Sequence, residues 1–173
     1  GILYVLAISA LSVWGLALGA CGSNNKFALL GGLRATAQLV SYEIALGLAV
    51  LAVVAVHGTV SLPEIVEGQQ RRLWGPLPAW NLFVQPVGFL LFWICAFAET
   101  NRLPFDLPEA EAELVGGYHT EYAGLRFGTF FLAEYAAMIT MSALVATLYL
   151  GGWHVPGLAR LAPPGGAAYA LLS

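Results

Sequence analysis

Charge is what this sequence has least of. Only 10% of its 173 residues are Asp, Glu, Lys or Arg, against 59% that are hydrophobic. A soluble domain typically carries about 25% charged residues, so these charges cannot cover the surface of a water-soluble globule. A very large buried core does not rescue that reading, because a chain of this length is too small to hide so much apolar surface. The sequence reads as an integral membrane protein. Cysteine is scarce too. Cys21 and Cys95 stand in neither a CxxC pair nor a Cys/His cluster, which excludes a disulfide framework and a zinc or iron–sulfur site built from them. His57, His119 and His154 are scattered and read as helix-end or interfacial residues, so no metal site is expected. A starting Met is missing, and the chain opens inside an apolar run; it reads as a fragment of a longer chain. No basic segment precedes that run, so residues 1–20 read as a spanning helix and not a signal peptide. Soluble domains and internal repeats are also absent from the pattern.

What is present is a set of long apolar runs. A bilayer core of about 30 Å needs about 20 helical residues. Four runs qualify: Ile2 to Ala20, Ala35 to Val56, Trp80 to Ala98 and Phe127 to Leu150. The expected fold is an all-α, polytopic transmembrane helix bundle forming one membrane domain over residues 1–173. The tail from Pro156 holds "APPGG" and a short apolar end, the beginning of another span or an interfacial segment. Trp74, Trp80 and Trp153 fall near run ends, where an aromatic belt places them. Pro86 lies inside the third run and is expected to kink it or to leave backbone carbonyls free. The connections alternate sides. Residues 21–34 and 99–126 share one face with Lys26, Arg34, Arg102 and Arg126, while 57–79 and the tail share the other with Arg71, Arg72 and Arg160. The slight basic excess on the first face puts it in the cytoplasm.

Three carboxylates stand where they are expensive. Glu43 lies in the second run after Gln38, Ser41 and Tyr42; Glu134 lies in the fourth; Glu99 closes the third. An ionised carboxylate in hydrocarbon is costly, so these groups are expected to face a protein interior or a wet cavity. Only Glu99 has a basic residue about one turn away, Arg102. A desolvated carboxyl titrates closer to neutral pH and suits a proton relay; a neutral Glu that merely hydrogen-bonds between helices is the other reading. Three such groups on separate spans favour the relay.

The window "AETNRLPFDLPEAEAELVGGYHTEYAG", residues 98 to 124, holds six of the ten carboxylates: Glu99, Asp106, Glu109, Glu111, Glu113 and Glu121. Asp106, Pro108 and Glu109 fit an N-cap followed by a first helical turn, so a short helix is expected from about Leu107 to Val115, ending at Gly116–Gly117. A helix N-terminus tolerates one or two acids but does not explain this many. Leu103, Phe105, Leu107, Leu114 and Val115 are interleaved with them. That mixture points to an acidic loop (99–126) folded back on the helices, its carboxylates lining a funnel, against the alternative of a solvated acidic loop.

At these residues a resemblance becomes specific. "ETNRLPFDLPEAEAELVGGYHTEYAG" resembles the signature loop of the quinone-proximal membrane subunit of respiratory complex I, known as subunit 1 in mitochondria and as the H subunit in bacteria. The likeness extends to "GSNNKFALLGGLRATAQLVSYE", "FFLAEYAAMI" and "LYLGGW", and covers most of residues 1–155. The family implies eight or so spanning helices, so the chain would be about half a subunit. By resemblance, Glu99, Glu109, Glu111 and Glu113 line a polar funnel from the quinone chamber, and Glu43 and Glu134 continue a proton path; Glu121 joins them as a candidate. Arg34, Gln38, Arg102 and Asp106 are the candidates for the chamber wall or for support of the loop. No catalytic residue is assigned. Two departures stand out: some relatives carry a Glu in the first span where this chain has Ala10, and the common "EYSG" reads "EYAG", with Ala123.

The resemblance implies a subunit of a proton-pumping NADH:quinone oxidoreductase, a translocase with no redox centre in this chain. Quinone would be substrate at the subunit interface, with flavin and iron–sulfur clusters in partner subunits. Partners would be the hydrophilic cluster-carrying subunits, the antiporter-like membrane subunits and the lipid bilayer, with no nucleic acid. The expected place is the cell inner (plasma) membrane, multi-pass, in preference to the mitochondrial inner membrane. Two alternatives remain: the homologous membrane subunit of a hydrogenase or formate hydrogenlyase, and a stand-alone proton-coupled transporter, for which internal repeats are the expected sign.

Overall fold

The computed structural model describes residues 1–74, 77–102, 105 and 124–153. In chain order they form α1 (Ile2–Gly22), α2 (Lys26–His57), α3 (Leu62–Gly68), β1 (Arg72–Trp74), β2 (Leu77–Pro78), α4 (Asn81–Val84), α5 (Pro86–Glu99) and α6 (Leu125–Tyr149). The protein is an all-α helix bundle. The two strands among the described residues make only a short antiparallel pair in the connection before α4. The helix expected over Leu107 to Val115, the folded-back loop and the tail from Pro156 lie outside the described residues.

Among the described residues, α1, α2 and α6 are long and apolar enough to cross a bilayer. The 32 residues of α2 make a rod of about 48 Å at 1.5 Å per residue, longer than the roughly 30 Å hydrocarbon core. The surplus accommodates Lys26 and Arg34 in its first turns. The apolar pattern places the start of this helix near Ala35; it begins nine residues earlier because Asn25 caps it. Asn25 is extended (φ −118°, ψ 128°), and its side-chain oxygen accepts from the Phe27 N–H at 2.9 Å, the usual way an asparagine satisfies an orphan first-turn donor. At the other end Gly58 takes φ 68°, the left-handed conformation a glycine enters without a Cβ penalty.

The third apolar run is built as two helices. α4 stops at Val84, Gln85 has φ −134° and ψ 66°, and α5 starts on Pro86. Proline has no N–H to give the carbonyl four residues back, so the ladder ends there. Gln85 ties the break to α2 by donating from Nε2 to the Ala52 carbonyl at 3.0 Å.

Helix α2 is the centre of the bundle, packed on α1 along one side and α5 along another. A side chain at Gly32 would collide with Ala20 of α1, so glycine sets that close approach. The core joins Leu46, Val50 and Val53 of α2, Ile65 of α3, Phe92 and Cys95 of α5, and Leu144, Leu148 and Tyr149 of α6. Tyr149 is fully buried against Phe89 and Phe92, and its hydroxyl donates to the Gly88 carbonyl at 3.2 Å. The outer surface is apolar as well. Leu3, Tyr4, Leu11, Trp14 and Leu18 of α1 are each largely exposed, an arrangement that suits lipid or neighbouring helices and would be a liability in water. These features make the chain a multi-pass membrane protein.

The end of α6 shows how the far side of the bundle is closed. A helix leaves its last carbonyls without intrahelical donors, and in a membrane such groups must be satisfied internally. Here the Ala146 carbonyl accepts from Leu150 and Gly152 N–H. The Thr147 carbonyl accepts from Gln69 Nε2 at 2.9 Å, and the Leu148 carbonyl from Asn81 Nδ2 at 2.7 Å. Gln69 Oε1 in turn accepts from the Gly151 and Asn81 N–H groups, and Asn81 Oδ1 accepts from His57 Nε2 at 3.0 Å. Gln69 and Asn81 are each 1% exposed. His57, the last residue of α2, thus has the helix-end role its position implies, while His119 and His154 lie outside the described residues.

Candidate functional site

The site is built where α5 ends. Glu99 is its last residue, Thr100 follows, and Asn101 turns left-handed at φ 48°. Asn101 N–H bonds the Ala98 carbonyl and Arg102 N–H the Phe97 carbonyl, each at 3.3 Å. That pair of bonds is the Schellman helix stop, with asparagine in the place glycine most often takes. Helix α2 holds the turn from the side. Gln38 Nε2 lies within hydrogen-bond reach of the carbonyls of Ala98 (3.1 Å) and Phe105 (3.0 Å) and of Asn101 Oδ1 (3.3 Å). One turn on, Tyr42 meets the Phe105 ring edge-to-face at 5.1 Å. The amide of Gln38 has two hydrogens for three acceptors, and its Oε1 is buried without a partner among the described residues. Gln38 and Tyr42 therefore clamp the turn that leads into the acidic window. Arg34, four residues before Gln38, is exposed on α2.

The stop at Glu99 corrects one expectation. Helical spacing makes Arg102 the basic neighbour of Glu99, but Arg102 is not on the helix. Beyond the left-handed Asn101 the chain swings toward α6, and Arg102 Nε pairs with Glu134 Oε1 at 3.0 Å. The guanidinium also lies 5.7 Å over the Tyr135 ring, a cation–π contact that fixes its plane. Glu134 is thus partnered, across 32 residues of sequence.

Glu99 itself is 9% exposed and has no hydrogen-bond or ion-pair partner among the described residues. It forms part of the wall of two hollows. The first, about 240 Å³, lies between α1, α2 and α6 and is lined by Ser9, Ala10, Glu43 and Gly47 together with Glu99. The second, about 280 Å³, is lined by Ser12, Gly15, Asn101, Thr129 and Glu134 together with Glu99. The three intramembrane carboxylates picked out by sequence are therefore brought to adjoining spaces, and Glu43 and Glu99 are close enough to feel each other's charge. Ser9, Ser12, Asn101 and Thr129 are additions from the structure. Their signal, hydroxyls and an amide at helical spacing within or beside apolar runs, is present in the sequence but indistinct from ordinary membrane-helix serine and threonine. Ala10 lies on the wall of the first hollow.

A third space, about 360 Å³, is an apolar slot between α5 and α6, lined by Trp93, Phe97, Met138, Met141 and Val145, with Arg102 on its wall. Arg102 thus stands between this slot and the Glu134 hollow. At the opposite end of the bundle a more polar recess of about 550 Å³ holds His57, Glu64, Glu67, Arg71 and Asn81. Among the described residues no three His, Cys, Asp or Glu side chains gather closely enough to hold a metal ion. Asp106, Glu109, Glu111, Glu113 and Glu121 lie outside the described residues.

The sequence matches, over residues 1–172, the family model described as NADH dehydrogenase. It is 54% identical over 156 residues to NADH-quinone oxidoreductase subunit 8 of Rhodothermus marinus, covering 90% of this chain and 45% of that protein. It is 52% identical over 157 residues to the H subunit of the NADH-quinone oxidoreductase of Protochlamydia amoebophila, covering 91% and 46%. Against the H subunit of the Salinibacter ruber enzyme it is 53% identical over 156 residues, covering 90% and 45%. The chain spans just under half the length of these relatives. With a family model matched over residues 1–172 and such identities across nine-tenths of the chain, it belongs to the NADH dehydrogenase family, the subunit 1/H family of complex I.

Proposed function

We propose that this chain is part of the membrane subunit of a proton-pumping NADH:quinone oxidoreductase, and that it couples quinone chemistry to proton movement through Glu99, Glu43 and Glu134. The observation that carries this reading is Glu99: buried, unpartnered among the described residues, and on the wall of both the Glu43 and the Glu134 hollow. An acid in that place can exchange a proton with either neighbour. Names of relatives support the quinone enzyme over a hydrogenase subunit. The oxidoreductase activity, the quinone, the flavin- and cluster-carrying partners, the antiporter-like partners and the bacterial cell membrane all belong to this proposal.

In the proposed mechanism the chain moves protons and not electrons. A partner delivers two electrons to a quinone, and the reduced quinone takes two protons. The apolar slot beside Arg102 has the size and lining of a small-molecule site and is the part of the quinone chamber wall this segment would supply. Arg34 would stand near it. Quinone reduction would change the field at the acidic window, where Glu109, Glu111, Glu113 and Glu121 would form the funnel and Asp106 would cap its helix. Gln38 and Arg102 transmit that change, one by clamping the 98–105 turn, the other by holding Glu134. The carboxylates then re-partition protons as a coupled set.

The test is Glu134→Gln in the assembled complex, with protons translocated per NADH measured in proteoliposomes. Gln keeps the hydrogen bonding of a neutral acid but cannot titrate. A relay role predicts a lower ratio with partial rescue by Asp. An unchanged ratio at wild-type rate removes Glu134 from the path and leaves it as a brace for Arg102.

A further inference from the structure

The end of the bundle opposite the acidic window holds a recess that the carboxylate relay leaves unused. It measures about 550 Å³, within the range of small-molecule sites. The sequence builds it locally. Ile65 and Val66 bury the inner side of α3, so Glu64 and Glu67, three residues apart, share its outer side, where both are exposed. Gly68 lets α3 lie against the His57 ring, because a Cβ there would fall 2.6 Å from Nδ1. The Arg71 carbonyl accepts from the Ala79 N–H at 2.6 Å, which fixes the backbone beneath the guanidinium. His57 and Asn81, joined at 3.0 Å, complete the polar part of the wall.

The recess carries charge of both signs, and the charges do not close on each other. The side chains of Glu64, Glu67 and Arg71 have no ion-pair or hydrogen-bond partner among the described residues. Held apart around a hollow, they offer a ligand two contacts for a cation and one for an anion. Two acids against one base disfavour a purely anionic ligand and suit a zwitterion. A primary ammonium has three N–H donors, enough for both carboxylates. A quaternary ammonium has none and is commonly met by aromatic rings, and no Phe, Tyr or Trp lines the recess among the described residues. The depth is that of lipid headgroups, because Trp80 precedes Asn81 and Trp153 is 44% exposed at this end, as in an aromatic belt. Val56 and Val84 finish the wall, and both are exposed, as is Val87 beyond them. That apolar surface adjoins the charged part, as the acyl chains of a phospholipid adjoin its headgroup.

We propose that this recess is a headgroup site for phosphatidylethanolamine: the ammonium sits between Glu64 and Glu67, the phosphate sits on Arg71, and the acyl chains leave over Val56 and Val84. None of these residues belongs to the carboxylate relay, so the proposal stands apart from it. Binding is non-covalent and moves no proton or electron. The bound headgroup ties α3 to the connection that follows it, the segment whose Gln69 and Asn81 close the end of α6.

The experiment is photolabelling of the assembled complex in phosphatidylglycerol vesicles. The probes are phosphatidylethanolamine and phosphatidylcholine with the same photoreactive acyl chain, each added as a minor component, and labelled peptides are mapped by mass spectrometry. In the wild type the peptides bearing Val56 and Val84 take up the ethanolamine probe about fivefold more than the choline probe, the worth of two half-exposed ionic contacts. Changing Glu64→Gln and Glu67→Gln together abolishes that preference, because the carboxylates alone tell the two ammonium groups apart. Arg71→Gln lowers labelling by both probes and keeps their ratio, because both carry the phosphate. Quinone-linked turnover stays at the wild-type level in all these variants. Equal labelling by the two probes in the wild type, a preference that survives the double Gln change, or equally strong labelling by a phosphatidylglycerol probe overturns the proposal. Should the variants not assemble, electron cryomicroscopy of the wild-type complex in phosphatidylethanolamine-containing nanodiscs decides. A headgroup between Glu67 and Arg71 supports the proposal, and a partner's side chain there, or an empty recess, overturns it.

Discussion

Replacing Arg102 by Met removes the cation and keeps an unbranched stem. The carboxylate it leaves behind, Glu134, is 14% exposed, while the Arg102 side chain is 44% exposed, and the pair meets at 3.0 Å. A desolvated hydrogen bond to a charged group is worth about 1.5–3 kcal/mol, and a fully exposed ion pair about 0.2–1 kcal/mol. With one partner half in solvent and the other nearly covered, the coupling falls between these, at about 1–2 kcal/mol, which is about 5- to 30-fold in a rate or equilibrium. The assay is a double-mutant cycle on quinone-linked turnover of the assembled complex: wild type, Arg102→Met, Glu134→Gln, and both. If the pair acts as a unit, each single change lowers turnover and the double change is about as active as the worse single one, a departure from multiplicativity of that size. Arg102→Lys falls between, because an ammonium keeps the charge but not the Nε geometry or the stacking over Tyr135. Multiplicative losses would refute the reasoning, since they mean Arg102 and Glu134 act separately.

Other outcomes follow from the same structure. Replacing Glu109 and Glu111 together by Gln is expected to leave the complex assembled and electron transfer from NADH to a pre-quinone acceptor near normal, while quinone-linked activity falls strongly; wild-type quinone reduction and pumping would return the acidic window to a solvated loop. Asn81→Leu strips the Leu148 carbonyl and His57 of their partner, and a buried unsatisfied group costs about 1–3 kcal/mol; the inactivation temperature of the complex should fall, with Gln69→Leu behaving alike. Gln38→Leu releases the 98–105 turn and should lower quinone-linked turnover without changing subunit stoichiometry, measured on purified complex.

How much of this is legible in the sequence depends on the kind of interaction. The spanning helices are visible as apolar runs because a bilayer demands length and hydrophobicity together. The start of α2 is not, because Lys26 and Arg34 look like loop charges when a helix longer than the bilayer carries them on its overhang; Asn25 before Lys26 is the available cap signal. The break at Pro86 is visible because proline has one outcome in a ladder. The carboxylates Glu43, Glu99 and Glu134 announce themselves by cost alone, yet nothing local says that Glu99 is shared between two spaces. The Arg102–Glu134 pair is illegible for a geometric reason: the helix ends at Glu99, so helical spacing no longer tells where Arg102 points. The Gln69–Asn81 clamp escapes notice because single amides in a connecting segment look like solvated residues until the α6 carbonyls they serve are in place. Glycine is ambiguous in sequence, since Gly32 and Gly47 sit in the same helix and only the neighbours show that one is packed and the other faces space.

Glu99 is the one described carboxylate common to both hollows, so the proposed relay stands or falls with it. The direct measurement is protons translocated per NADH oxidised in proteoliposomes containing the assembled complex with Glu99→Gln. The relay predicts that the complex assembles, that NADH oxidation by a pre-quinone acceptor is unchanged, and that the proton ratio or the coupled rate collapses, with partial recovery in Glu99→Asp. A Glu99→Gln complex that pumps at the wild-type ratio and rate would contradict it.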